Sequence, residues 1–418
     1  VGVIALLRKA FALRPPPALR LRLLRWIAAS VVREFPWALG AGSLLAIAAL
    51  VALGALDGWL GIVVVAALAV WTLVLAWFMR QSLVSARAVR EALADLEPPD
   101  DERRSDFPLS HLILPPLMLW PRGVRHVRGV EYARDGARPL RLDVYQPVEP
   151  ADGPRPAIVQ VHGGGWIAGS RSEQGIPLLN HLAVHGWVGF NIDYRLSPRA
   201  TFPDHLVDVK RAIAWVREHA EEYGADPGFV CLTGGSAGGH LCALAALTSD
   251  DRSFQPGFED ADTSVAAAVP FYGVYDLTNA DGDYYPELLE WVLEQHVFKA
   301  SLADQPELFR AASPTHRVHA DAPPFLVLHG DRDSLVPVAD ARRFVRELRA
   351  VSSNPVLYAE LGGAEHAFDI LPSVRTARVV ETIERFLATV RADELPVALF
   401  EAGTAPSTAA TAPSSSIG

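Results

Sequence analysis

The sequence predicts an α/β protein, a mostly parallel central sheet with helices on both faces, preceded by two transmembrane helices. Three observations predict it. Two uncharged apolar runs fill residues 37–79, short apolar strands alternate with helical segments over 121–392, and a glycine-lined serine turn joins a strand to a helix within that alternation. At 418 residues, half of them apolar, the chain is long enough to bury a sizeable core.

Residues 1–36 form a basic arm, with Arg8, Lys9, Arg14, Arg20, Arg22, Arg25 and Arg33 against Glu34. Its stretch ALRLRLLRWIA (residues 18–28) interleaves arginine with leucine and tryptophan, which suits either an amphipathic helix on an anionic membrane surface or a solvated arm. Residues 37–79 read as a two-helix transmembrane hairpin. Residues 37–56 and 59–79 are each long enough to cross a hydrocarbon core of roughly 30 Å, with Asp57-Gly58 as the turn. The alternative is a pair of buried core helices. A signal peptide fits poorly, because the apolar stretch is too long and a long basic stretch precedes it. Positive charge flanks both outer ends of the hairpin and is lacking in its turn, so the positive-inside rule places both ends, and the domain that follows, on the cytoplasmic side.

Residues 80–120 read as a linker or cap region, since EALADLEPPDDERR (residues 91–104) is charged and carries a proline pair. From 121 to 392 the expected strands are 138–147, 156–163, 187–196, 229–235, 266–274, 324–331 and 355–361. Helices are expected over 205–224, 338–351 and 373–390. Residues 393–418 are an Ala/Ser/Thr/Pro tail of low complexity, expected to be disordered. Net charge is −10 although the arm is basic, so the main body is acidic and nucleic acid is not an expected partner. Two cysteines, Cys231 and Cys242, are too few for a disulfide framework and read as buried thiols.

The loop HGGGWIAGS (residues 162–170) raises the question of which anion it holds. A phosphate loop would end in Gly-Lys-Ser/Thr, which is missing, and the looser dinucleotide pattern Gly163, Gly165, Ala168 has no second supporting element. No cofactor is expected. Downstream, CLTGGSAGGHL (residues 231–241) contains G-x-S-x-G as Gly234-Gly235-Ser236-Ala237-Gly238, directly after a strand. Small residues there let a strained strand-to-helix turn present Ser236 as a nucleophile. A serine hydroxyl needs a base to take its proton. LGGAEHAFD (residues 361–369) offers His366, and VLHGDRDSLVP (residues 327–337) offers Asp333 to orient it, with Asp331 as the rival acid. His240, His329 and His162 read as structural. His181 and His185 share the i, i+4 spacing of a zinc helix but lack the carboxylate of H-E-x-x-H, so no metal is expected.

With HGGGW, DYRLSP, FPDHLVDVKRAIAWV, GGSAGGH, HGDRDSLVP and EHAF in this order, residues 122–390 resemble the hormone-sensitive-lipase-like carboxylesterases of the α/β-hydrolase fold. The resemblance implies a triad of Ser236, Asp333 and His366. It also implies an oxyanion hole from the backbone N–H of Ala237 and the run Gly163, Gly164 and Gly165, with His162, Gly234 and Gly238 supporting these turns. Two departures bear on the subfamily: Gly235 stands where the family often has Asp, and HGDRD replaces its usual DPLRD. The hairpin and the tail lie outside the resemblance.

The expected function is a membrane-anchored serine hydrolase cleaving small-molecule or lipid acyl esters through an acyl-enzyme. An acyltransferase or an amidase/formamidase would use the same groups, and a non-catalytic ligand-binding homologue is the remaining alternative. Tyr284, Tyr285, Trp291 and Phe298 lie in an insertion-like stretch that suits a lid, an acyl pocket or ordinary helix packing.

Overall fold

The computed structural model describes residues 11–92 and 123–393. Most of the linker expected before residue 121 and the tail beyond residue 393 lie outside them. Eight strands form one sheet: β1 (Val124–Asp135), β2 (Arg138–Pro147), β3 (Arg155–Val161), β4 (Val188–Ile192), β5 (Ala225–Gly235), β6 (Ala268–Phe271), β7 (Phe325–Gly330) and β8 (Val356–Leu361). Their order is β1-β2-β4-β3-β5-β6-β7-β8. The β1–β2 and β2–β4 pairs are antiparallel and the rest are parallel. The parallel strands are apolar on both faces, as a sheet covered on both sides requires. Val159 and Leu232 fall in one core cluster, while their neighbours Ile158 and Cys231 fall in the other.

Nine helices among the described residues cover the sheet or precede it. They are α1 (Pro17–Glu34), α2 (Pro36–Ala52), α3 (Trp59–Ala92), α4 (Ile176–Val184), α5 (Asp204–His219), α6 (Ala237–Ala246), α7 (Pro306–Ala311), α8 (Val338–Val351) and α9 (Val374–Ala392). A π-helical segment, Glu287–Phe298, fills part of the insertion-like stretch. Leu206 of α5, Leu241 of α6 and Phe344 of α8 pack on one face. Leu179 of α4, Val380 of α9 and Val89 of α3 pack on the other.

The sequence reading missed β1, α4, α7 and the π-helical segment. It also ran the 205–224 helix five residues too far, where a 3-10 turn, Ala220–Tyr223, ends at left-handed Gly224. The N-terminal region differs more. The apolar break is wider than Asp57-Gly58, since Gly54 turns left-handed at φ 80° and a 3-10 turn, Ala55–Asp57, follows. The first apolar helix is therefore α2, with 17 residues and a length of about 25 Å. The second does not stop at Met79 but continues as α3 to Ala92, through residues placed in the linker, because RQSLVSARAVREA contains no helix breaker and Val89 is fully buried against the domain. Among the described residues, one helix, over Trp59–Val89, is long and apolar enough to cross a membrane, and α1 with α2 form a second candidate bent by 78°. Leu45 is 72% exposed and Leu73 71%, so these are not core helices.

Candidate active site

Ser236 sits between β5 and α6 with φ 58° and ψ −122°, a left-handed φ unusual for a residue with a side chain. The turn packs closely because Gly234 and Gly238 carry no side chains. A Cβ on Gly238 would meet Val161 O at 2.1 Å, and one on Gly234 would meet Gly238 O at 2.5 Å. Ser236 N donates to Phe271 O at 3.0 Å, fixing the elbow to the end of β6.

His366 and Asp333 lie on the loops after β8 and β7. His366 Nδ1 donates to Asp333 Oδ2 at 2.7 Å. Asp333 Oδ1 accepts from Leu335 N at 2.9 Å and Val336 N at 2.7 Å, so both carboxylate oxygens are engaged. Burial pushes the Asp333 carboxyl up, but the charge of His366 and the hydrogen bonds from His329 and His366 outweigh it and hold it well below the usual range. The rival Asp331 points elsewhere and accepts from Gly363 N at 2.6 Å, bracing the loop that carries His366. His329, read as structural, has Nε2 3.2 Å from Asp333 Oδ2 and is a second partner of the acid. Its i, i+4 relation to Asp333 was visible in VLHGDRD.

The glycine loop reaches the same place. Gly164 and Gly165, both with positive φ, line one cavity with Ser236 and His366. Ala237 opens α6, where a first-turn N–H has no intrahelical acceptor. Gly163 departs from the expected set, because its N–H donates to Gln174 Oε1 at 2.7 Å. Its own need for glycine is steric, since a Cβ there would meet Gly235 O at 2.5 Å and Ser236 Cβ at 3.0 Å. His162 stacks on Tyr194 at 4.4 Å and lies beneath the loop rather than in the cavity.

The cavity, about 140 Å³, is lined by Tyr285 and Trp291 of the insertion-like stretch. Tyr284 instead donates to Asp340 Oδ2 at 2.7 Å, and Phe298 packs on Phe309 at 4.1 Å between ring centroids. The aromatics thus divide between pocket and core.

Against known proteins, the description of the BD-FAE family matches residues 142–348. The chain is 50% identical over 272 residues to the probable carboxylic ester hydrolase LipM of Mycobacterium tuberculosis, covering 63% of each chain. It is 48% identical over 256 residues to the esterase LipQ of the same organism, covering 61% of this chain and 60% of LipQ. Its sheet and helices have the α/β-hydrolase fold, and residues 142–348 are similar to the BD-FAE family. The chain spans a little over 60% of the length of these curated relatives. Among solved structures, the butyrate-bound esterase 2 of Thermogutta terrifontis superposes with TM-score 0.53 at 27% identity, over 66% of this chain and 96% of that one. A truncated carbohydrate esterase from gut microbiota, at 24% identity and TM-score 0.54 over 65% of this chain and 99% of its own, shares the fold.

Three other histidines singled out in the sequence, His240, His181 and His185, lie outside the cavity lining. His240 accepts from Trp166 Nε1 at 3.2 Å and donates to Ala312 O at 2.7 Å, and burial pulls it down to about 4. His181 Nε2 donates to Glu384 Oε2 at 2.8 Å, and His185 lies beside them. The ligand atoms of the three lie within 4.8 Å of one another, so the carboxylate lacking from the helix motif comes from α9, about two hundred residues away, where spacing could not reveal it.

Tyr272 was also missed. Its ring lies 4.6 Å from that of His366, and its hydroxyl donates to Asp369. Burial raises the Asp369 carboxyl to about 6. The folded state therefore binds more protons than the unfolded chain between roughly pH 4 and 6, so this group makes stability fall as pH rises through that window. Asp369→Asn removes that contribution. Its melting temperature relative to the parent is expected to become more favourable from pH 4.5 to pH 7, which thermal unfolding at the two pH values measures.

Proposed function

We propose that this chain is a membrane-anchored carboxylic ester hydrolase in which Ser236 is the nucleophile, His366 the general base and acid, and Asp333 the residue that orients His366. The observation that carries the reading is the union, at one cavity, of a strained Ser236, a histidine hydrogen-bonded to a buried carboxylate, and the Gly164-Gly165 backbone. Ser236 Oγ attacks the acyl carbonyl as His366 takes its proton. Backbone N–H groups of Gly164, Gly165 and Ala237 stabilise the oxyanion, each such donor being worth roughly 3 kcal/mol of barrier. Collapse expels the alcohol, which receives the proton from His366, and water activated by the same histidine hydrolyses the acyl-enzyme. Names of the mycobacterial relatives and the butyrate held by the Thermogutta esterase support an acyl ester as substrate. The exposed apolar faces of α2 and α3, with basic residues at both outer ends, support a hairpin anchor with the catalytic domain on the cytoplasmic side.

The test is active-site labelling. The full chain in detergent micelles is expected to react stoichiometrically with a fluorophosphonate at Ser236 and to hydrolyse p-nitrophenyl esters. Folded protein that takes no label and turns over no ester overturns the reading.

A further inference from the structure

The helix within the basic arm, α1, has two apolar stripes, and only one faces water. Leu19, Leu23 and Trp26, at i, i+4 and i+7, turn toward the catalytic domain and line the cavity that holds Ser236 and His366. Leu21, Leu24 and Val31 lie on another face and are 49%, 56% and 42% exposed.

α1 is fastened to both loops that carry His366 and Asp333. Trp26 Nε1 donates to His366 O at 2.7 Å. Arg33 donates to Gly363 O at 2.9 Å, three residues earlier in the same loop. Arg22 donates to Ser334 O at 3.3 Å, next to Asp333, and its guanidinium sits 3.9 Å over the Tyr285 ring. The helix therefore spans from the histidine loop to Tyr285, just before the π-helical segment, and forms part of the cavity lining.

Among the described residues, none of those lining the cavity is Asp, Glu, Lys or Arg, and Leu19, Leu23, Leu288, Val292, Leu335 and Ile370 supply its aliphatic surface. Such walls favour a straight apolar chain and penalise a charged or heavily hydroxylated acyl group, whose polar atoms would find few partners.

We propose that α1 is part of the substrate site: Leu19 and Leu23 form the wall of an acyl-chain binding site, and the substrate is an ester whose aliphatic acyl chain lies between α1 and the π-helical segment. This rests on Ser236 being the nucleophile, since the acyl carbon must bond there. The chain then runs from Ser236 along the helix that leads, through the single residue Phe35, into the first apolar helix.

The experiment measures kcat/KM of the full chain in detergent micelles on p-nitrophenyl esters from acetate to laurate. Leu23→Trp fills the site and is expected to lower the ratio of octanoate to acetate by at least roughly tenfold. Leu23→Ala widens it and is expected to move the optimum to longer chains. Leu24→Trp, on the exposed stripe, leaves the profile unchanged. Fluorophosphonate labelling of Ser236 in each variant reports that the site is assembled. A Leu23→Trp or Leu23→Ala variant that is labelled yet keeps the parental chain-length profile overturns the proposal, while turnover by the parent still upholds the esterase reading. A parent that is neither labelled nor active defeats that reading instead. Should Leu23→Trp fail to label, the profile of Leu23→Ala decides.

Discussion

Ser236→Ala is expected to lower kcat/KM for p-nitrophenyl esters by about 10⁵- to 10⁶-fold while leaving the melting temperature within a few degrees of the parent. The hydroxyl makes no hydrogen bond that the fold relies on, whereas the backbone at Ser236 is held by Phe271 O and by the crowding around Gly234 and Gly238. Alanine keeps that backbone and removes only the attacking atom. Asp333→Asn is the informative companion, with an expected loss of about 10⁴-fold. An amide has one acceptor oxygen, and in this site Oδ1 already takes two backbone N–H groups while Oδ2 takes His366. One of the two sets must lose its acceptor, and the imidazole then presents the wrong tautomer to the serine. Steady-state kinetics on both variants checks the order. Equal, small losses would mean that the charge pair is structural and the nucleophile lies elsewhere.

The second large effect is on stability. Glu34, the last residue of α1, pairs with Arg375 of α9, and both side chains are nearly inaccessible, at 2% and 1% exposed. Ser373 Oγ also donates to Glu34 at 2.7 Å. Burial raises the Glu34 carboxyl despite the neighbouring guanidinium, so the pair is costly to hide and costlier to break. Glu34→Ala is expected to destabilise the chain by about 3–5 kcal/mol, because Arg375 is left as an uncompensated buried charge. The double replacement of Glu34 by leucine and Arg375 by methionine is expected to recover most of that loss. Chemical denaturation of the three proteins in one detergent reads the comparison. A double variant no better than Glu34→Ala would show that α1 docks through the ion pair itself rather than through the surface around it.

How much of this was legible in the sequence depends on the range of each interaction. Ser236, Asp333 and His366 each follow a strand in a short local signature, and six of the seven strands read from apolar runs begin within two residues of the observed ones. The sheet was legible because burial on both faces leaves continuous apolar stretches. β1 was not, because VRHVRGVEYARD alternates with charge and pairs only at the sheet edge. Gln174 could not be foreseen as the acceptor for Gly163 N–H, since it lies eleven positions further along the chain and only the folded turn brings them together. The largest misreading concerned the basic arm. Its arginines suggested a membrane surface or solvent, yet Arg22 and Arg33 donate to loop carbonyls of the α/β domain, and Leu19 and Leu23 face a cavity. The i, i+4, i+7 spacing of Leu19, Leu23 and Trp26 was present, but composition drew the reading toward charge.

The unbroken course of α3 carries a mechanical meaning. In a chain anchored as proposed, the stretch from Met79 to Val89 is a strut of roughly 15 Å. Part-way along it Ser85 donates to Gly362 O at 2.7 Å, four residues before His366. The height of the reacting serine above the bilayer is then fixed by helix geometry, and the tilt of one rod sets which way the cavity looks. Substrate dissolved in the membrane would reach such a mouth by lateral diffusion, so turnover would follow its mole fraction in the lipid and not its concentration in the surrounding water.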